Sequence, residues 1–582
     1  MARVLLDQPQ SLTERPENFK PLDFGANGIN GSLDWNGRII ALNWYHPQHG
    51  YVTLTSADPF PEDQRYNPAA VRAYRAGLAK LEGFGLVFDD PIIKREVIVG
   101  PSFWTTLVFT FEDNSTARVS TFVHGNLVVQ MWQSDKKSPR WAGKISLQRC
   151  AYTQLTEGGP IPQPLVSTRA SIKDGLIVIK NPVIGSKVNI WGLPKEVHFE
   201  REQFGPINIL FENNVLKDSM DLLTSESYLI NGPSPGFFQM FVYDFSPEST
   251  DILMDSYKSP RGLTVGVMLE LLDKWHERWH GIKDELMLRR GLFYAVRMAV
   301  PVNHGICLIT DHMLLPLSWN RDAYYVARAL LSWTKEMHDI VRRHLIWMFE
   351  IAERPDGVWG RCYLANGRQK DPAFQLDQQL WPLLEFAEYV QETGDHATFE
   401  RLQSQVSTTL DTLLTHRDSP DGWLFPTDET PADDPIALPY HLSSHILFWR
   451  TLMKLAELFP SGEQEKYRVW AEHIHATIQR FFITEHPKFG PIYAYATDGE
   501  AESKAHFHFY HDANDFPLVL APIWGFCGAD DPIWRTTIQF AWSPENEGGH
   551  YAGRLGSVHT RAAWPLGDVQ ELIVAQTLGD AD

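Results

Sequence analysis

The texture of the chain changes once, near residue 268, and that change limits the folds open to it. From about Pro21 to Val267 the sequence runs in short alternating or β-branched stretches separated by turn-forming residues. Examples are GRIIAL at Gly37 to Leu42, KREVIVG at Lys94 to Gly100, WTTLVFTF at Trp104 to Phe111 and GLIVIKNPVIG at Gly175 to Gly185. Period-two alternation of this kind belongs to half-buried strands. It predicts an antiparallel β-sandwich over residues 1–268. One helix interrupts it, NPAAVRAYRAGLAKLEG, with Asn67 as N-cap and Pro68 at the first helical position.

Beyond Leu269 the apolar residues recur at helical spacing instead. LELLDKWHERWHGIKDEL, residues 269–286, reads as a linking helix. Ten further helices are predicted at Met287–Ala299, Arg321–Ser332, Thr334–Glu353, Phe374–Glu392, Ala397–His416, Pro439–Phe459, Gly462–Phe482, Asp515–Gly525, Pro532–Phe540 and Thr560–Leu578. Their connections alternate between short ones and long ones rich in aromatic and polar residues, such as Asp418 to Leu438 and His486 to Asp512. Such alternation suits a ring of helical hairpins, the (α/α)6 barrel, over residues 287–582, with the long loops gathered at one end around a central pocket. A helical solenoid is the structural alternative, but no internal repeat supports it.

A chain of 582 residues exceeds one hydrophobic core and accommodates both domains. Its formal charge of −20 would repel phosphate backbones and anionic membranes, so neither a nucleic acid nor a membrane is expected as partner. Cys150, Cys307, Cys362 and Cys527 lie far apart, without the spacing of a disulfide framework or zinc ribbon. The start, MARVLLDQPQSLTERPENF, has no apolar run of signal-peptide length, and no stretch of about 18 apolar residues follows. A cytoplasmic protein is the expectation.

Four segments carry candidate chemistry. In FQLDQQLWPLLEFAEYVQETGD, Asp377 shares a helix face with Leu380, Trp381 and Leu384. A carboxylate aimed at an apolar face must find a strong partner or keep its proton, and the second condition suits a general acid. Helix capping or a bond to a neighbouring Arg is the plainer alternative. Just upstream, Trp359 in RPDGVWGRCYLANGRQKDP would form a pocket wall or pack beneath its loop.

In ITDHMLLPLSWNRDAYYVARALL, Asp311 precedes an apolar stretch, and Trp319, Arg321 and Asp322 stand at a helix start. The donor fork of Arg, the acceptor pair of Asp and the flat face of Trp match the hydroxyls and C–H faces of a sugar ring. An Arg321–Asp322 ion pair with Asn320 as cap is the alternative. In HFHFYHDANDFPLVLAPIWGF, His506, His508, His511 and Asp512 raise a metal site. Their spacing places His506 and His508 on one face only in a strand, and no HExxH helix is present, so no metal is expected. Asp512, Asn514 and Asp515 read as caps and hydroxyl ligands.

The last segment is WSPENEGGHYAGRLGSVHTRAAWPLGDVQELIVAQTLGD. Gly548, Gly549, Gly553 and Gly556 allow close backbone approach to a ligand, followed by His559, Thr560 and a helix with Trp564, Asp568 and Glu571. Glu571 shares a face with Trp564, Asp568 and Ala575, which makes it a second inward carboxylate unless that face meets solvent.

ITDHMLLPLSWNRDAYY, FQLDQQLWPLLEFAEYVQETGD, HDANDFPLVLAPIWGF, DPIWRTTIQFAWSPEN and GSVHTRAAWPL, in that order, resemble glycoside hydrolase family 125, the metal-independent exo-α-1,6-mannosidases, over roughly residues 305–580. Asn320, Ala323 and His511 depart from the pattern. The β-rich half lies outside it; a leading sandwich and GANGINGSLDWNGRI are similar to bacterial glucoamylases.

The resemblance implies an (α/α)6 barrel that hydrolyses α-glycosides with inversion, without metal or cofactor. By that analogy Asp377 is the catalytic acid, and the base comes from the last helix region, Glu571 ahead of Asp568 or Glu545. Trp319, Arg321, Asp322, Asp512, Asn514, His559 and Thr560 would line the terminal-sugar subsite, with Asp311, Trp359, Trp564 and Asp568 beside them. The expected function is an inverting exo-acting α-glycoside hydrolase, mannosidase- or glucosidase-like, acting on a small carbohydrate. One alternative is an inverting phosphorylase that gathers phosphate at Arg554, His559 and Arg561; another is a non-catalytic carbohydrate-binding protein.

Overall fold

The structure, a computed structural model, describes Gln10–Thr13, most of residues 22–148, strands between 167 and 244, and residues 286–579 but for three short segments. The expected linker at 269–286 falls almost wholly outside the described residues. The chain divides into two compact units, Met1–Ser318 with Leu364–Arg368, and Trp319–Tyr363 with Gln369–Asp582. The division thus lies at Trp319. Helix Leu286–Arg297 and the hairpin of Ala299–Val302 with Gly305–Leu308, expected in the helical domain, group with the first unit.

The first unit is built on antiparallel sheets, as its alternating sequence predicts. One sheet has ten strands and the other seven, and every described pairing is antiparallel. Strand Thr105–Phe111 buries Thr105, Leu107, Phe109 and Phe111 and leaves the residues between them half-buried. Ile29, Leu42, Leu54 and Phe84 share a single hydrophobic core with Leu107, Phe109, Val119 and Trp132 of the ten-stranded sheet. Polar residues inside the seven-stranded sheet bond one another in a chain: Thr53 Oγ1 donates to Asn43 Oδ1 at 2.6 Å and Asn43 Nδ2 to Asn30 Oδ1 at 2.9 Å. Helix α1 (Pro68–Leu78) begins as its sequence predicts, with Asn67 Oδ1 accepting from Ala69 N at 3.1 Å and Ala70 N at 3.2 Å. Helix α2 is Leu286–Arg297.

The second unit is helical. Its elements are α3 (Asn320–Trp333), α4 (His338–Ile346), α5 (Leu376–Thr393), α6 (His396–Leu414), α7 (Leu442–Leu458), α8 (Ser461–Phe481), α9 (Pro517–Trp524), α10 (Pro532–Ala541) and α11 (Pro565–Leu578). The sequence sorts them into two layers. Helix α5 is buried on every side from Leu376 to Val390, and α7 nearly so. Helix α6 buries only a stripe, Leu402, Val406, Leu410 and Leu413, and α8 buries Tyr467, Ala471, Ile474 and Ile478. Contacts follow this division: α3, α5, α7, α9 and α11 pack in succession, while α4, α6 and α8 each pack on the helix before them in sequence. Helix α5 stops at Gly394, whose φ of 68° any side chain would strain. The predicted helix over 334–353 is instead a 3-10 turn, α4 and a wider π turn at Trp347–Ile351. Among the described residues no helix is long and apolar enough to cross a membrane.

Candidate functional site

Two helix starts and one loop of the second unit converge. Arg321, in the first turn of α3, sends Nη1 to Asp377 Oδ2 at 3.0 Å and Nη2 to Asp433 Oδ1 at 3.5 Å. Trp381, one turn beyond Asp377, donates its indole N–H to the same Oδ2 at 3.2 Å. Trp319 Nε1 donates to Asp433 Oδ2 at 2.9 Å. Burial opposes the charge on Arg321, but Asp377, Asp433 and Asp322 outweigh that cost and hold the guanidinium above its ordinary pKa. Asp322 differs from its two neighbours. Water reaches 45 % of its side chain, yet desolvation by the surrounding protein, against the opposing pull of Arg321, raises its pKa, and Asp433 and Asp377 raise it further.

The sequence explains why α3 and α5 meet in register. Pro382, inside α5, has no N–H to give the Gln378 carbonyl four residues earlier. Asn320 Nδ2 donates to that carbonyl at 2.8 Å, and Gln378 Oε1 accepts from Arg321 N at 3.0 Å. The device recurs at α9, where Pro522 frees the Leu518 carbonyl and Trp534 Nε1 fills it at 2.9 Å.

Asp433 comes from the long loop between α6 and α7, at a non-glycine φ of 63°. That loop is fastened from several sides. Gln375 Nε2 donates to Asp433 Oδ1 and to Glu429 Oε2, both at 2.8 Å. Arg361 Nη1 reaches both oxygens of Glu429 at 3.1 Å, and its Nη2 reaches Asp371 Oδ2 at 2.6 Å. Burial pushes the Glu429 carboxyl upward, while Arg361 and Gln375 oppose the shift. Asp433, Glu429, Arg361, Asp371 and Gln375 did not emerge from the sequence. Their loop was expected to be polar, but polarity alone does not say which carboxylate turns inward.

The remaining expected residues are distributed as follows. Asp311 belongs to the first unit, where Oδ1 accepts from Leu315 N at 2.9 Å. Trp359, read as a pocket wall or as packed beneath its loop, is fully buried; its Nε1 bonds Met348 O at 3.1 Å and its backbone is gripped on both sides by Gln379. Asp512, expected to bind sugar, is saturated by protein: Tyr510 and Ser557 hydroxyls donate to Oδ2, and Asn514 gives both its backbone N–H and its amide to Oδ1 at 2.8 Å. Asp512 and Asn514 thereby fasten the turn before α9 to the Gly-rich segment. His559 Nδ1 lies 3.3 Å from Asp434 Oδ1, and the Thr560 hydroxyl donates to backbone carbonyls of its own turn.

On α11 the buried positions are Gly567, Gln570 and Val574, whereas Trp564, Asp568 and Glu571 are exposed. The inward place expected for Glu571 is taken one residue earlier by Gln570. Its Nε2 donates to the Asp512 and Ala513 carbonyls, and its Oε1 lies 2.8 Å from His511 Nε2. Asp568 faces Arg554 at 3.6 Å, and Glu545, also weighed as base, is paired with Lys488. Because Arg554 and His559 each face a carboxylate, this corner is poorly disposed toward a phosphate. His506 is paired with Asp498, and among the described residues no group of three or more His, Cys, Asp or Glu side chains is arranged to hold a metal.

Residues 385–580 match the family model of the metal-independent alpha-mannosidases, GH125. The C-terminal half resembles that family, as its motifs imply. The Meiotically up-regulated gene 157 protein of Schizosaccharomyces pombe is 32 % identical over 162 residues, which cover 26 % of this chain and 30 % of that protein. The chain therefore spans under a third of that relative's length. Among solved structures, a bacterial glucoamylase complexed with acarbose matches at a TM-score of 0.57 and 12 % identity, covering 92 % of this chain and 82 % of that one. The fold is accordingly shared with that glucoamylase. A metal-independent alpha mannosidase of Streptococcus pneumoniae, in complex with alpha-1,6-mannobiose, matches at a TM-score of 0.42 and 20 % identity, covering 54 % of this chain and 85 % of that one.

Proposed function

We propose that this chain is an inverting, exo-acting α-glycoside hydrolase that removes a terminal mannose- or glucose-like unit from a small oligosaccharide or glycoside. The observation that carries the reading is the convergence of Trp319, Arg321 and Asp322 at the start of α3 with Asp377 at the start of α5. These groups gather a flat apolar face, a donor fork and carboxylates in one cluster, which matches the C–H faces and hydroxyls of a pyranose. The GH125 match over residues 385–580 supports the reaction class. The order of packing from α3 to α11 supports a reading of the helical unit as an (α/α)6 barrel, and the shared core of the two antiparallel sheets supports a β-sandwich in the first unit.

In this reading Asp377 donates a proton to the leaving oxygen, and Arg321 and Trp381 fix the carboxyl through Oδ2. Asp322, reached by water, accepts hydrogen bonds from sugar hydroxyls. Inversion requires a second carboxylate about 6.5–9.5 Å from the acid, with room for a water between them. Azide rescue across Asp433→Ala, Glu545→Ala, Asp568→Ala and Glu571→Ala identifies it, because a small anion replaces a missing base only at that position.

The test is a screen of aryl α-glycosides and short α-linked oligosaccharides, with and without phosphate, using NMR to identify the first anomer released. Phosphate-independent release of the β-anomer supports the reading. Release of the α-anomer overturns inversion, and phosphate dependence overturns hydrolysis. Sugar binding without turnover leaves a carbohydrate-binding protein.

A further inference from the structure

Beside the Arg321 cluster lies a second set of polar atoms that the mechanism above does not use. Asp515, immediately before α9, is 1 % exposed, and its Oδ1 has no hydrogen-bond partner among the described residues. Its other oxygen lies 3.3 Å from Nε2 of His441, the fully buried residue that caps α7. His441 is itself fixed, because Nδ1 faces the Ser444 hydroxyl at 2.9 Å and the Tyr495 ring packs edge-on against it at 4.5 Å. From α3, one turn beyond Arg321, comes Tyr325. Its ring packs on Trp381 at 5.3 Å and on Phe516 at 5.4 Å, so it bridges the helix that carries Asp377 and the residue next to Asp515. The Tyr325 hydroxyl is buried and also has no hydrogen-bond partner among the described residues.

A buried carboxylate oxygen and a buried phenol without a protein partner cost about 1–3 kcal/mol each unless water or a ligand meets them. The two are complementary, since a carboxylate only accepts whereas a phenol can donate. A single hydroxyl group that reaches both gives its hydrogen to the carboxylate and takes one from the phenol. Burial pushes the Tyr325 phenol well above its ordinary pKa, and Asp515, Asp377 and Asp322 add to that shift while Arg321 opposes it, so the phenol keeps its proton.

We propose that Tyr325 and Asp515 form a hydroxyl-reading corner of the sugar site, in which one hydroxyl of the terminal sugar donates to Asp515 Oδ1 and accepts from Tyr325. His441 is the positioning residue that holds Asp515 in place. The inference rests on the hydrolase reading and adds to it a determinant of which sugar is taken.

Its test compares kcat/KM of the wild type and Tyr325→Phe on the best aryl α-glycoside of the screen and on each of its mono-deoxy analogues. Tyr325→Phe keeps the ring packing and removes only the hydroxyl. It should lower kcat/KM on the parent glycoside by about tenfold to a hundredfold, whereas one mono-deoxy analogue should be handled equally by both enzymes. Asp515→Asn should lose discrimination at the same sugar position, and His441→Gln should reduce it in part. An unchanged parent reaction, or an equal loss on the parent and every analogue, overturns the corner while leaving the hydrolase reading intact. Wild-type silence on every glycoside overturns the hydrolase reading and the corner with it.

Discussion

The indole N–H of Trp319 and the carboxylate of Asp433 are joined at 2.9 Å, although 114 residues separate them. That bond seats the tip of the α6–α7 loop against the start of α3, at a backbone angle which a residue bearing a Cβ adopts at a cost. Removal of the carboxylate should weaken this attachment, while Glu429, held by Arg361, keeps the loop backbone in place. Asp433→Gly and Asp433→Ala both lose the bonds to Trp319, Arg321 and Gln375, but glycine relieves the left-handed φ and alanine does not. Urea unfolding should therefore find the glycine variant more stable than the alanine variant by about 1 kcal/mol. Equal stabilities would mean that the loop relaxes out of this conformation once the carboxylate is gone.

Arg321 touches Asp377 and Asp433 with different nitrogens of one planar fork, a geometry that a lysine ammonium cannot reproduce. Arg321→Lys should keep the fold yet lower kcat/KM on the active glycoside at least tenfold. Asp377→Asn should lower kcat by about 10²–10⁴. Circular dichroism and steady-state rates measured on the same preparations check both, and full activity in Asp377→Asn removes Asp377 from proton transfer.

The proline-freed carbonyl of Leu518 depends on Trp534 for its partner. Trp534→Phe should cost about 1–3 kcal/mol through the orphaned carbonyl, apart from any change in packing. In a Pro522→Ala background the helix supplies its own N–H, so the same substitution should cost about 1–2 kcal/mol less. Additive losses in the double-mutant cycle would show that the indole N–H contributes nothing at this joint.

His445 lies inside α7 with Nδ1 2.7 Å from the His441 carbonyl and Nε2 3.1 Å from the Phe425 N–H. The second contact requires Nε2 to accept, so the ring is neutral with its proton on Nδ1. Burial chiefly lowers its pKa to about 4. Unfolded chains bind a proton at this ring from about pH 6.5 downward and folded ones do not, so folding weakens as pH falls toward 4, by about 3 kcal/mol in all from this group. In His445→Gln the fall in melting temperature between pH 6.5 and 4 should be smaller than in the wild type. An equally steep fall assigns the acid sensitivity to other groups.

Much of the helical half was legible because its residues repeat at helical spacing and its ends carry capping signals. The structure places α5 at Leu376–Thr393 where the sequence predicts Phe374–Glu392, and α8 at Ser461–Phe481 where it predicts Gly462–Phe482. Arg321, Asp322 and Asp377 were legible as a chemical set, but their neighbour Asp433 was not, since nothing local distinguishes it from Asp428 or Asp434 in the same loop. Trp359 illustrates the converse. Its Gly-rich flanks suggested an open loop, while its burial is decided by Gln379 twenty residues later. Glu571 missed the buried seam because the face it shares with Trp564 and Asp568 is the exposed one; α11 packs through Gly567, Gln570 and Val574 instead.

Gln570 gives that last difference an electrostatic consequence. An amide carries no charge at any pH, so Gln570 brings no titrating group of its own to the joint it makes with the Asp512 and Ala513 carbonyls. Those two bonds tie α11 to the turn before α9 through a side chain that never changes charge.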